Sequence, residues 1–597
     1  MKPTRSLSSA STSPSKRQRV SQSCFNPIKI ASAQAAAAVD NNPPLPRLLK
    51  AIKGGPQHPS KGRAIIYWMR MSDLRLNDNR ALSLSAEHAA RDNIPLLVLF
   101  IISPHDYLAH DRGPRRVDFT LRNLKMLKTL LSERNIPLYS RTHTPRRAIP
   151  SLVISLANKL GCTSIYGNIE YEVDELRRDI ALCELAKKDA IQATFVHNKS
   201  IIEPGMLLTT QHKTYTVFSP YHRKWISELN DNIDIHLKDH TFNYSNPSSV
   251  KTCKAFSSLF HSDVPNSVPG FELSPEQMKL MEDIWPAGEQ AASAMLQRFL
   301  HTKSRETQIG AVNPLAPGAD ESPSSSRIAR YAHDRDRVDG DTTSRLSVYL
   351  SSGVLSARAC VRATMALQNL HKIDGRRDSG IGRWLQEIAW RDFYTDILVA
   401  YPRVSMGRPF AEKFASVVWE NHQTPKDANL DDPKGIQEDS ESLRRWKEGK
   451  TGVPIVDAAM RCTNEMGWVH NRLRMISAMY LTKDLMIDWR VGERYFMQQL
   501  IDGDLASNNG GWQWCASTGA DSCPYFRIFN PYSQSTKADP TGTFIRHWIP
   551  ELRKVNGPEI HRPSPTLANQ IDYPKPVIDH DSARNRALRR FKNPGSI

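Results

Sequence analysis

The chain contains 597 residues, more than one ordinary hydrophobic core holds, and its length indicates two or three domains. Its 80 Lys and Arg residues against 62 Asp and Glu residues give a net charge of +18, so a polyanionic partner is a serious candidate. Hydrophobic residues make up 40% of the chain, and no uncharged apolar run reaches the roughly twenty residues of a membrane-spanning helix. We therefore expect a soluble protein that is larger than a small binding module.

Residues 1–60 form a basic tail that we predict to be disordered. The tail holds nine Lys or Arg residues and one acidic residue, so +8 of the +18 lies here and +10 remains for residues 61–597. It is rich in Ser, Ala, Pro and Gln and shows no hydrophobic periodicity that would offset the entropy cost of ordering. The basic run from Pro14 to Val20 is typical of a nuclear-import signal, whereas the acid-free stretch before Asp40 also fits a mitochondrial presequence. We expect the nucleus, with the mitochondrion as an additional destination.

Residues 61–198 show the alternation of strands and helices that is typical of a parallel sheet. Short apolar runs, separated by amphipathic segments of helix length, occupy Ala64–Met69, Leu96–Ile102, Ile136–Ser140 and Ser164–Asn168. This pattern predicts a doubly wound α/β domain whose sheet is buried on both faces. No GxGxxG or P-loop sequence follows these strands, so ordinary dinucleotide or nucleotide-phosphate binding there has no support.

The rest of the chain is predicted to be a connector followed by a helical domain. Residues 199–270 are rich in Pro, Ser and Asn and suit a long inter-domain connector that runs over the surface. From 271 to 597 the helical period dominates, which predicts a second, nearly all-helical domain. A polar Pro, Gly and Ser segment at about 302–326 interrupts this domain, and we predict that it is a disordered insertion.

A polar stripe stands out on one predicted helix in a Trp-rich region. Nine of the twelve Trp residues lie between residues 384 and 548, and core packing accounts for most Trp residues taken singly. Glu387, Trp390, Arg391 and Tyr394, however, stand at i, i+3, i+4 and i+7 and therefore share one helical stripe. Such a stripe suits a cavity that stacks on an aromatic ligand and hydrogen-bonds its edge. A solvated helix face with an incidental Trp is the alternative.

Two further segments combine amides, acids and Trp residues. Gly467–Met475 places Trp468, Asn471 and Met475 at i, i+3 and i+7, and Asp502–Trp514 holds two acids, two amides and a Gly pair beside two Trp residues. An Asp-Gly-Asp sequence alone is also common in turns and in metal-binding loops. The eight Cys residues are scattered without CxxC pairs or metal-ligand spacing, so we expect no metal site and no disulfide framework.

These segments resemble the photolyase/cryptochrome family, and most closely its class I cyclobutane pyrimidine dimer DNA photolyases. The resemblance runs from about residue 61 to about residue 594 and leaves out the tail and the insertion. It is carried by WRDFY, EGKTGVPIVDAAMR, GWVHNRLRM, DWRVGERYFMQQLIDGDLASNNGGWQW and PYFRIFNP. It implies an antenna-binding α/β domain followed by a larger helical domain that binds FAD and DNA.

The resemblance implies that a folded FAD, active in its reduced form, occupies the helical domain. Arg474 and Asp502 would pair near the flavin, where positive charge favours the anionic reduced form. Asn508 would face flavin N5, where plant-type cryptochromes have Asp, and this neutral amide favours a repair enzyme. The implied FAD-binding positions are Tyr331, Thr343, Ser344, Arg345, Leu346, Ser347, Trp384, Asn471, Arg474, Asp502, Gly503, Asp504 and Asn508.

The substrate that the resemblance implies is UV-damaged DNA, from which the dimer is flipped into the cavity. Glu387 would hydrogen-bond the pyrimidine edge and Trp390 would pack against the dimer. Asn471 and Met475 stand where (6-4) photolyases have two His residues, which favours the cyclobutane lesion. The implied catalytic positions are Glu387, Trp390, Met475 and Asn508. The implied DNA contacts are Arg335, Glu387, Trp390, Arg391, Tyr394, Asn471, Arg472, Arg527 and Gln534.

The resemblance also implies a light-harvesting antenna in the α/β domain. His110, Asp174 and Glu175 match folate contacts and favour 5,10-methenyltetrahydrofolate over a deazaflavin. Asp174 replaces an Asn, and Met406 and Gly407 stand where a Cys-Lys pair contributes, so both antennas stay open. The positions that match the family's electron-transfer chain from the surface to the flavin are Trp419, Trp489 and Trp512.

We therefore expect light-dependent repair of cyclobutane pyrimidine dimers by a monomer that binds damaged DNA and no membrane. A cryptochrome-like photoreceptor is the main alternative. Such receptors usually carry a long C-terminal extension, whereas the match here runs to within a few residues of Ile597. A nucleic-acid-binding flavoprotein without repair activity is a second alternative.

Overall fold

The computed structural model describes residues 28, 30–56, 60–422 and 436–596. It contains an α/β domain with a five-stranded parallel sheet and a larger helical domain, which confirms the predicted fold class. The basic run at 14–20 lies outside the described residues. Among the helices that are described, none combines the length and the apolar content that crossing a membrane requires.

The parallel sheet has the strand order β3-β2-β1-β4-β5. Strands β1 and β2 lie at the centre and are almost fully buried, because helices cover both faces of the sheet. The predicted apolar runs therefore correspond to strands, and a fifth strand completes the sheet. The strands are β1 Ala64–Met69, β2 Leu96–Ile102, β3 Leu138–Thr142, β4 Cys162–Asn168 and β5 Gln192–Val196.

Two helices precede this sheet, and five belong to the α/β domain. The N-terminal helices are α1 Ala33–Asn41 and α2 Pro44–Lys53. Those of the α/β domain are α3 Arg80–Asp92, α4 Pro104–Ala109, α5 Pro114–Glu133, α6 Ile149–Leu160 and α7 Val173–Lys188.

Part of the predicted tail is folded, so the prediction of disorder is wrong for residues 33–53. Ser32 caps α1 by accepting a hydrogen bond from the Ala35 amide at 3.2 Å. Helix α2 packs against α7 and buries Leu45 and Leu48. The free energy that orders this segment comes from tertiary burial, which a local composition argument does not include.

The connector is more ordered than its composition indicates. Its longest helix, α8, buries Phe218, Tyr221 and Trp225 along one face and packs on α17 of the helical domain. The domain boundaries at 198 and 270 stay a prediction, since these contacts tie the connector to the helical domain. The connector helices are α8 Phe218–Asp231, α9 Ile233–His236, α10 Ser249–Thr252 and α11 Ser257–Phe260.

The helical domain surrounds α17, which carries the predicted polar stripe. Its first helices are α12 Pro275–Ile284, α13 Glu289–His301, α14 Arg327–Asp334, α15 Ser347–Ser351, α16 Ala357–Leu367 and α17 Gly380–Ala400. The next are α18 Glu441–Glu448, α19 Pro454–Met466, α20 Asn471–Met479, α21 Trp489–Gln499 and α22 Leu505–Ala516. The last are α23 Pro531–Ala538, α24 Thr543–Trp548, α25 Pro565–Gln570 and α26 His580–Lys592.

The segment 302–326 is also ordered, and the prediction of a disordered insertion is wrong. Gln308 is 2% exposed, and its side chain accepts a hydrogen bond from Arg298 at 3.1 Å. The same amide donates to the carbonyl of Pro314 at 3.1 Å. Thr302 and Glu321 close the segment with an antiparallel bridge. One buried glutamine with long-range partners thus fixes a loop whose composition resembles a disordered one.

Candidate active site

One cavity of about 430 Å³ collects most of the predicted site residues in the helical domain. Its wall is built from α14, the segment before α15, α17, α20 and α22. Its volume lies in the range of small-molecule and cofactor sites. The predicted residues in its lining are Tyr331, Arg335, Thr343, Ser344, Arg345, Leu346, Ser347, Trp384, Glu387, Trp390, Arg391, Tyr394, Asn471, Arg474, Met475, Asp502 and Asp504.

Helix α17 presents its stripe to this cavity, as the spacing predicts. The Trp390 ring stacks on Phe218 of the connector, with ring centroids 3.5 Å apart and planes within 6°. Tyr394 lies next along the stripe, 5.5 Å from Trp390 between ring centroids. Trp390 and Tyr394 thus form an aromatic surface of the cavity. Phe218 of the connector packs against Trp390 and holds its ring in place.

Two features of the wall fit a large planar ligand. Trp384 is 3% exposed, and its indole Nε1 is buried without a hydrogen-bond partner among the described residues. A buried donor of this kind costs free energy unless a ligand or water pairs with it. Gly511 also lines the cavity, and a Cβ atom added there would have nothing within 4 Å. Both observations fit FAD, which would stack along α22 and meet the indole.

A charged group of side chains lies along one wall. Arg474 forms a bidentate pair with Asp502, with Nη2–Oδ2 at 2.7 Å and Nη1–Oδ1 at 3.2 Å. Lys199 of the connector pairs with Asp504 at 2.8 Å. Burial would raise the pKa of Asp504, but the charges of Lys199 and Arg391 outweigh it and hold that pKa well below the usual range. The carboxylate of Asp504 is therefore an ionised acceptor at neutral pH.

The predicted FAD-binding run, residues 343–347, forms a tight bend that leads into α15. Arg345 has a φ of 54°, in the left-handed region, and Ser344 accepts a hydrogen bond from the Leu346 amide at 3.3 Å. Trp468 donates its indole N–H to the Ser347 hydroxyl at 3.0 Å. The bend is thus fixed from two sides, and its residues reach the cavity.

Two predicted FAD-binding positions do not line the cavity. Asn508 donates its amide to the backbone carbonyl of Glu493 at 2.9 Å, and Gly503 accepts a hydrogen bond from Arg112 at 2.7 Å through its carbonyl. Both residues stand directly beside lining residues, because Asp502, Asp504 and Ser507 are in the wall. Their predicted contacts with FAD stay predictions.

The carboxyl group of Glu387 is engaged by Arg335 in an ion pair. The Glu387 side chain is 24% exposed. Burial raises the pKa of Glu387, while the charge of Arg335 works in the opposite direction. A second pair joins Arg472 to Asp336 at 2.6 Å. The predicted lesion-binding carboxyl therefore sits among charges at the edge of the cavity.

The other predicted DNA contacts differ in their surroundings. Arg527 is exposed, and Gln534 is half-buried in the first turn of α23. Arg391 donates instead to the backbone carbonyls of Lys199 at 2.6 Å and Leu350 at 3.3 Å. Its guanidinium thus ties the connector to the helical domain.

The three Trp residues of the predicted electron-transfer chain are all buried. Trp512 contacts Phe496, with ring centroids 5.0 Å apart, and Trp419 contacts Phe591 of α26 at 6.0 Å. The electron-transfer role of these three residues stays a prediction, and the Trp419 ring is 4% exposed. Helix α26 covers it, a long-range packing that the local sequence does not reveal.

The predicted antenna residues lie where two further cavities meet at the α/β domain. His110 pairs with Glu175 at 2.9 Å, and Arg146 pairs with Asp174 at 3.0 Å. Burial lowers the pKa of His110, but the charge of Glu175 and the hydrogen bond to it raise that pKa overall. A cavity of about 420 Å³ contains His110 and Asp174 in its wall and reaches Met406 of the helical domain. A larger cavity of about 630 Å³ lies beside it on the α/β domain and contains Asp174 and Glu175.

Sequence reasoning missed several residues that line the main cavity or pack against its lining. Phe218 lies in the connector, where no helix was expected, and an aromatic stripe at i, i+3 and i+7 was the available signal. Trp468 was noted as part of a stripe without a site role. The other lining residues outside the predicted set are Leu350, Ser351, Ile388, Val469, Ser507, Gly511 and Trp514.

Comparison with known proteins identifies both domains. The family described as DNA photolyase matches residues 65–239, and the FAD binding domain of DNA photolyase matches residues 384–593. Residues 384–593 contain nearly all of α17, the helices α20 and α22, and most of the residues that line the main cavity. The domain that holds the main cavity is therefore an FAD-binding domain.

Individual proteins match along almost their whole length. A deoxyribodipyrimidine photo-lyase of Neurospora crassa is 37% identical over 95% of this chain and 88% of its own. That of Escherichia coli is 36% identical over 88% of this chain and 98% of its own. The crystal structure of a bacterial class III photolyase from Agrobacterium tumefaciens covers 90% of this chain and 98% of its own, with 27% identity and a TM-score of 0.69. The chain belongs to the DNA photolyase family.

Proposed function

We propose that this protein repairs cyclobutane pyrimidine dimers in DNA in a light-dependent reaction. The observation that carries the proposal is that the residues suited to a pyrimidine dimer, Glu387, Trp390 and Met475, share one cavity with Trp384 and Arg474, which suit FAD. Lesion and cofactor would thus meet without intervening protein. The relatives named deoxyribodipyrimidine photo-lyase, at 36–37% identity, support the same activity.

The cavity residues would hold the two partners in contact and keep water out. When bound, reduced FAD supplies one electron on excitation by light and receives it back once the two inter-ring bonds of the dimer have broken. Arg474, held by Asp502, places a positive charge beside the ring system and favours its anionic form. Trp384 offers its unpaired indole N–H to the cofactor.

Glu387 would bind the edge of the dimer. Its raised pKa increases the fraction of protonated carboxyl, which can donate a hydrogen bond to a pyrimidine carbonyl that gains negative charge. Arg335 engages this carboxyl in the structure. A dimer can therefore bind Glu387 only if Arg335 shares or releases the carboxyl. We infer that Arg335 turns to a DNA phosphate when the lesion enters.

The remaining cavity residues would select the cyclobutane lesion. Trp390, stacked on Phe218, offers a rigid aromatic surface for the flipped dimer. Asn471 donates its amide toward the Met475 sulfur at 3.9 Å, and neither side chain provides the acid–base chemistry that a (6-4) lesion needs. Asn508, oriented by the carbonyl of Glu493, would present a neutral amide at flavin N5.

DNA would be bound mainly through its phosphates, with little sequence preference. Arg335, Arg472, Arg527 and Gln534 are the residues we assign to this surface, and Tyr394 to the cavity behind it. Arg391 holds the connector to α17 through two backbone carbonyls and contributes indirectly. The +10 charge outside the tail is consistent with a polyanionic partner.

We call the cavity of about 420 Å³, which His110 and Asp174 line, the second cavity. A folate antenna would occupy this second cavity. Glu175 would act through His110, which it orients at 2.9 Å. We further propose a monomer that acts in the nucleus and also in the mitochondrion. The basic sequence at 14–20 supports the nucleus, and the acid-free stretch before Asp40 supports the mitochondrion.

The decisive experiment is a repair assay on the purified protein. The protein is reduced, mixed with an oligonucleotide that contains one cyclobutane dimer, and illuminated with blue or near-UV light. We expect the dimer to disappear in the light and to persist in the dark. Persistence in the light, with flavin bound and reduced, would refute the repair activity and favour the photoreceptor alternative.

A further inference from the structure

The folded part of the N-terminal region forms one wall of the second cavity. We define the N-terminal strap as Ile28 together with residues 30–42. Ile28, Ile30 and Ala31 line the cavity of about 420 Å³ that also contains His110 and Asp174. The Ala31 amide donates a hydrogen bond to the carbonyl of Met406 at 2.9 Å. The strap thus lies against the helical domain at the point where this domain faces the α/β domain.

The strap is anchored to both domains. In the helical domain, Asp40 forms an ion pair with Arg403 and accepts a hydrogen bond from the Arg403 amide at 3.1 Å. In the α/β domain, the following helix α2 buries Leu45 and Leu48 against α7. A segment fixed at both ends loses little further entropy when a ligand packs against it.

The strap adds an apolar side to a cavity whose α/β wall carries the polar side chains of His110, Arg146 and Asp174. Ile28 and Ile30 line the same cavity as His110 and Asp174. An apolar slot with polar groups along one edge suits a planar heteroaromatic ring that carries hydrogen-bonding atoms on its rim. A reduced pterin has this chemistry.

We propose that the strap is a binding element of the antenna site, which holds a pterin chromophore against His110 and slows its release. This inference rests on the antenna assignment under Proposed function and adds residues of the chain that precede the family match. Met406 offers its carbonyl to the strap, and Met406 and Gly407 line the cavity beside it. The strap therefore completes the cavity at the position where the expected Cys-Lys pair is missing.

The test uses the purified FAD-containing protein and added 5,10-methenyltetrahydrofolate. One variant lacks residues 1–42 and keeps α2, so that Leu45 and Leu48 stay in the core. A second variant, Ala31→Pro, removes only the amide hydrogen that bonds Met406. Its matched control is Ala33→Pro, since Ala33 is exposed at the first position of α1, where proline is tolerated. Folate affinity is measured by equilibrium dialysis, and folate release by the loss of energy transfer to the flavin.

We expect the truncation and Ala31→Pro to weaken folate binding at least about tenfold and to speed release, while Ala33→Pro binds folate as the unaltered protein does. FAD content and repair under direct flavin excitation should stay the same in all variants. Equal folate affinity in all variants would overturn the role of the strap and leave the antenna intact. If the full chain bound no folate while repairing dimers, the antenna assignment and this inference would both fail, and the repair activity would stand.

Discussion

Glu387 is engaged by Arg335 in the absence of DNA, although both residues line the cavity that we assign to the lesion. The pair lies between α14 and α17 and neutralises a carboxyl that burial would otherwise penalise. A pyrimidine dimer that entered the cavity would compete with Arg335 for Glu387. A DNA phosphate that engaged Arg335 would leave the Glu387 carboxyl available to the lesion.

Substituting Glu387 by Ala should lower repair by about tenfold per absorbed photon, which is the loss expected for one hydrogen bond to a charged group. FAD content should not change, because Trp384, Arg474 and Asp502 remain. The quantum yield of dimer splitting under flavin excitation is the measurement. Asp374→Asn is the control, because Asp374 pairs with Arg376 near the surface and does not line the cavity. Unchanged repair in Glu387→Ala would contradict the role of this carboxyl.

The adjacent glycines of α22 should respond to alanine in opposite ways. A Cβ atom on Gly510 would overlap the ring of Tyr394, and we expect Gly510→Ala to destabilise the protein by about 1–2 kcal/mol. A Cβ atom on Gly511 would point into open space. Because Ala favours a helix more than Gly does, Gly511→Ala should raise the free energy of unfolding of the FAD-free protein by up to about 1 kcal/mol. The same substitution should weaken FAD binding, because it narrows the cavity.

Chemical denaturation of FAD-free protein and flavin titration separate the two glycine effects. If Gly511→Ala bound FAD as tightly as the unaltered protein, the cofactor would not approach α22 at this point. If Gly510→Ala were as stable as the unaltered protein, the packing of Tyr394 would be looser than the structure shows.

Removing one phosphate-binding arginine should weaken DNA binding for all sequences alike. We expect Arg527→Ala to reduce the slope of log affinity against log salt by about 1. Arg444→Ala is the matched control, because Arg444 is exposed on α18 and pairs with Glu441 and Glu448. Binding is measured by fluorescence anisotropy of a dimer-containing duplex at several salt concentrations. Equal slopes of log affinity against log salt for the two variants would show that Arg527 does not contact a DNA phosphate.

Trp512 should be needed for photoreduction but not for repair by enzyme that is already reduced. Its ring is buried and packs against Phe496, so phenylalanine can occupy the space with limited disturbance. We expect Trp512→Phe to abolish light-driven reduction of oxidised flavin, followed by absorbance. Chemically reduced Trp512→Phe should still repair dimers. Photoreduction at the normal rate would exclude Trp512 from the electron-transfer chain.

The pH dependence of stability should reveal a buried carboxyl on α17. Burial raises the pKa of Asp396 to about 7, although the amide of Gly205 donates to it at 2.8 Å. Between pH 4 and 7 the folded protein therefore holds a proton that the unfolded chain releases, and stability falls as the pH rises through this window. Asp396→Asn removes this titration and should stabilise the protein at pH 8, by roughly 4 kcal/mol at most, and little at pH 4.

Urea denaturation at pH 4, 6 and 8 is the measurement for Asp396. The surface substitution Asp374→Asn is the control, since Asp374 pairs with Arg376 near the surface. A constant difference between Asp396→Asn and the unaltered protein at all three pH values would show that Asp396 titrates normally.

The local sequence pattern was sufficient to predict those features that depend on a single strand or helix. The runs Ala64–Met69 and Leu96–Ile102 are strands with the predicted bounds, because a buried parallel strand requires an unbroken apolar run. The stripe on α17 faces the cavity, because residues at i, i+3, i+4 and i+7 share one side of any helix. Recognition of the family motifs supplied the other site residues.

Local pattern failed where distant partners decide the structure. Gln308 orders a polar loop through Arg298, and Leu48 orders part of the tail through its packing on α7. Phe218 supports Trp390 from a segment more than 150 residues earlier. Helix α26 covers Trp419 through the ring of Phe591, a contact between residues far apart in the chain.

The sequence by itself determined the two domain types, the family and most residues of the main cavity, because strand and helix periods and the family motifs are local properties. Only the tertiary structure decided that Arg335 engages Glu387, that Phe218 packs against Trp390, and that the strap forms one wall of the second cavity. These features depend on contacts between residues far apart in the chain. Their free energy comes from burial and charge pairing that no local window contains.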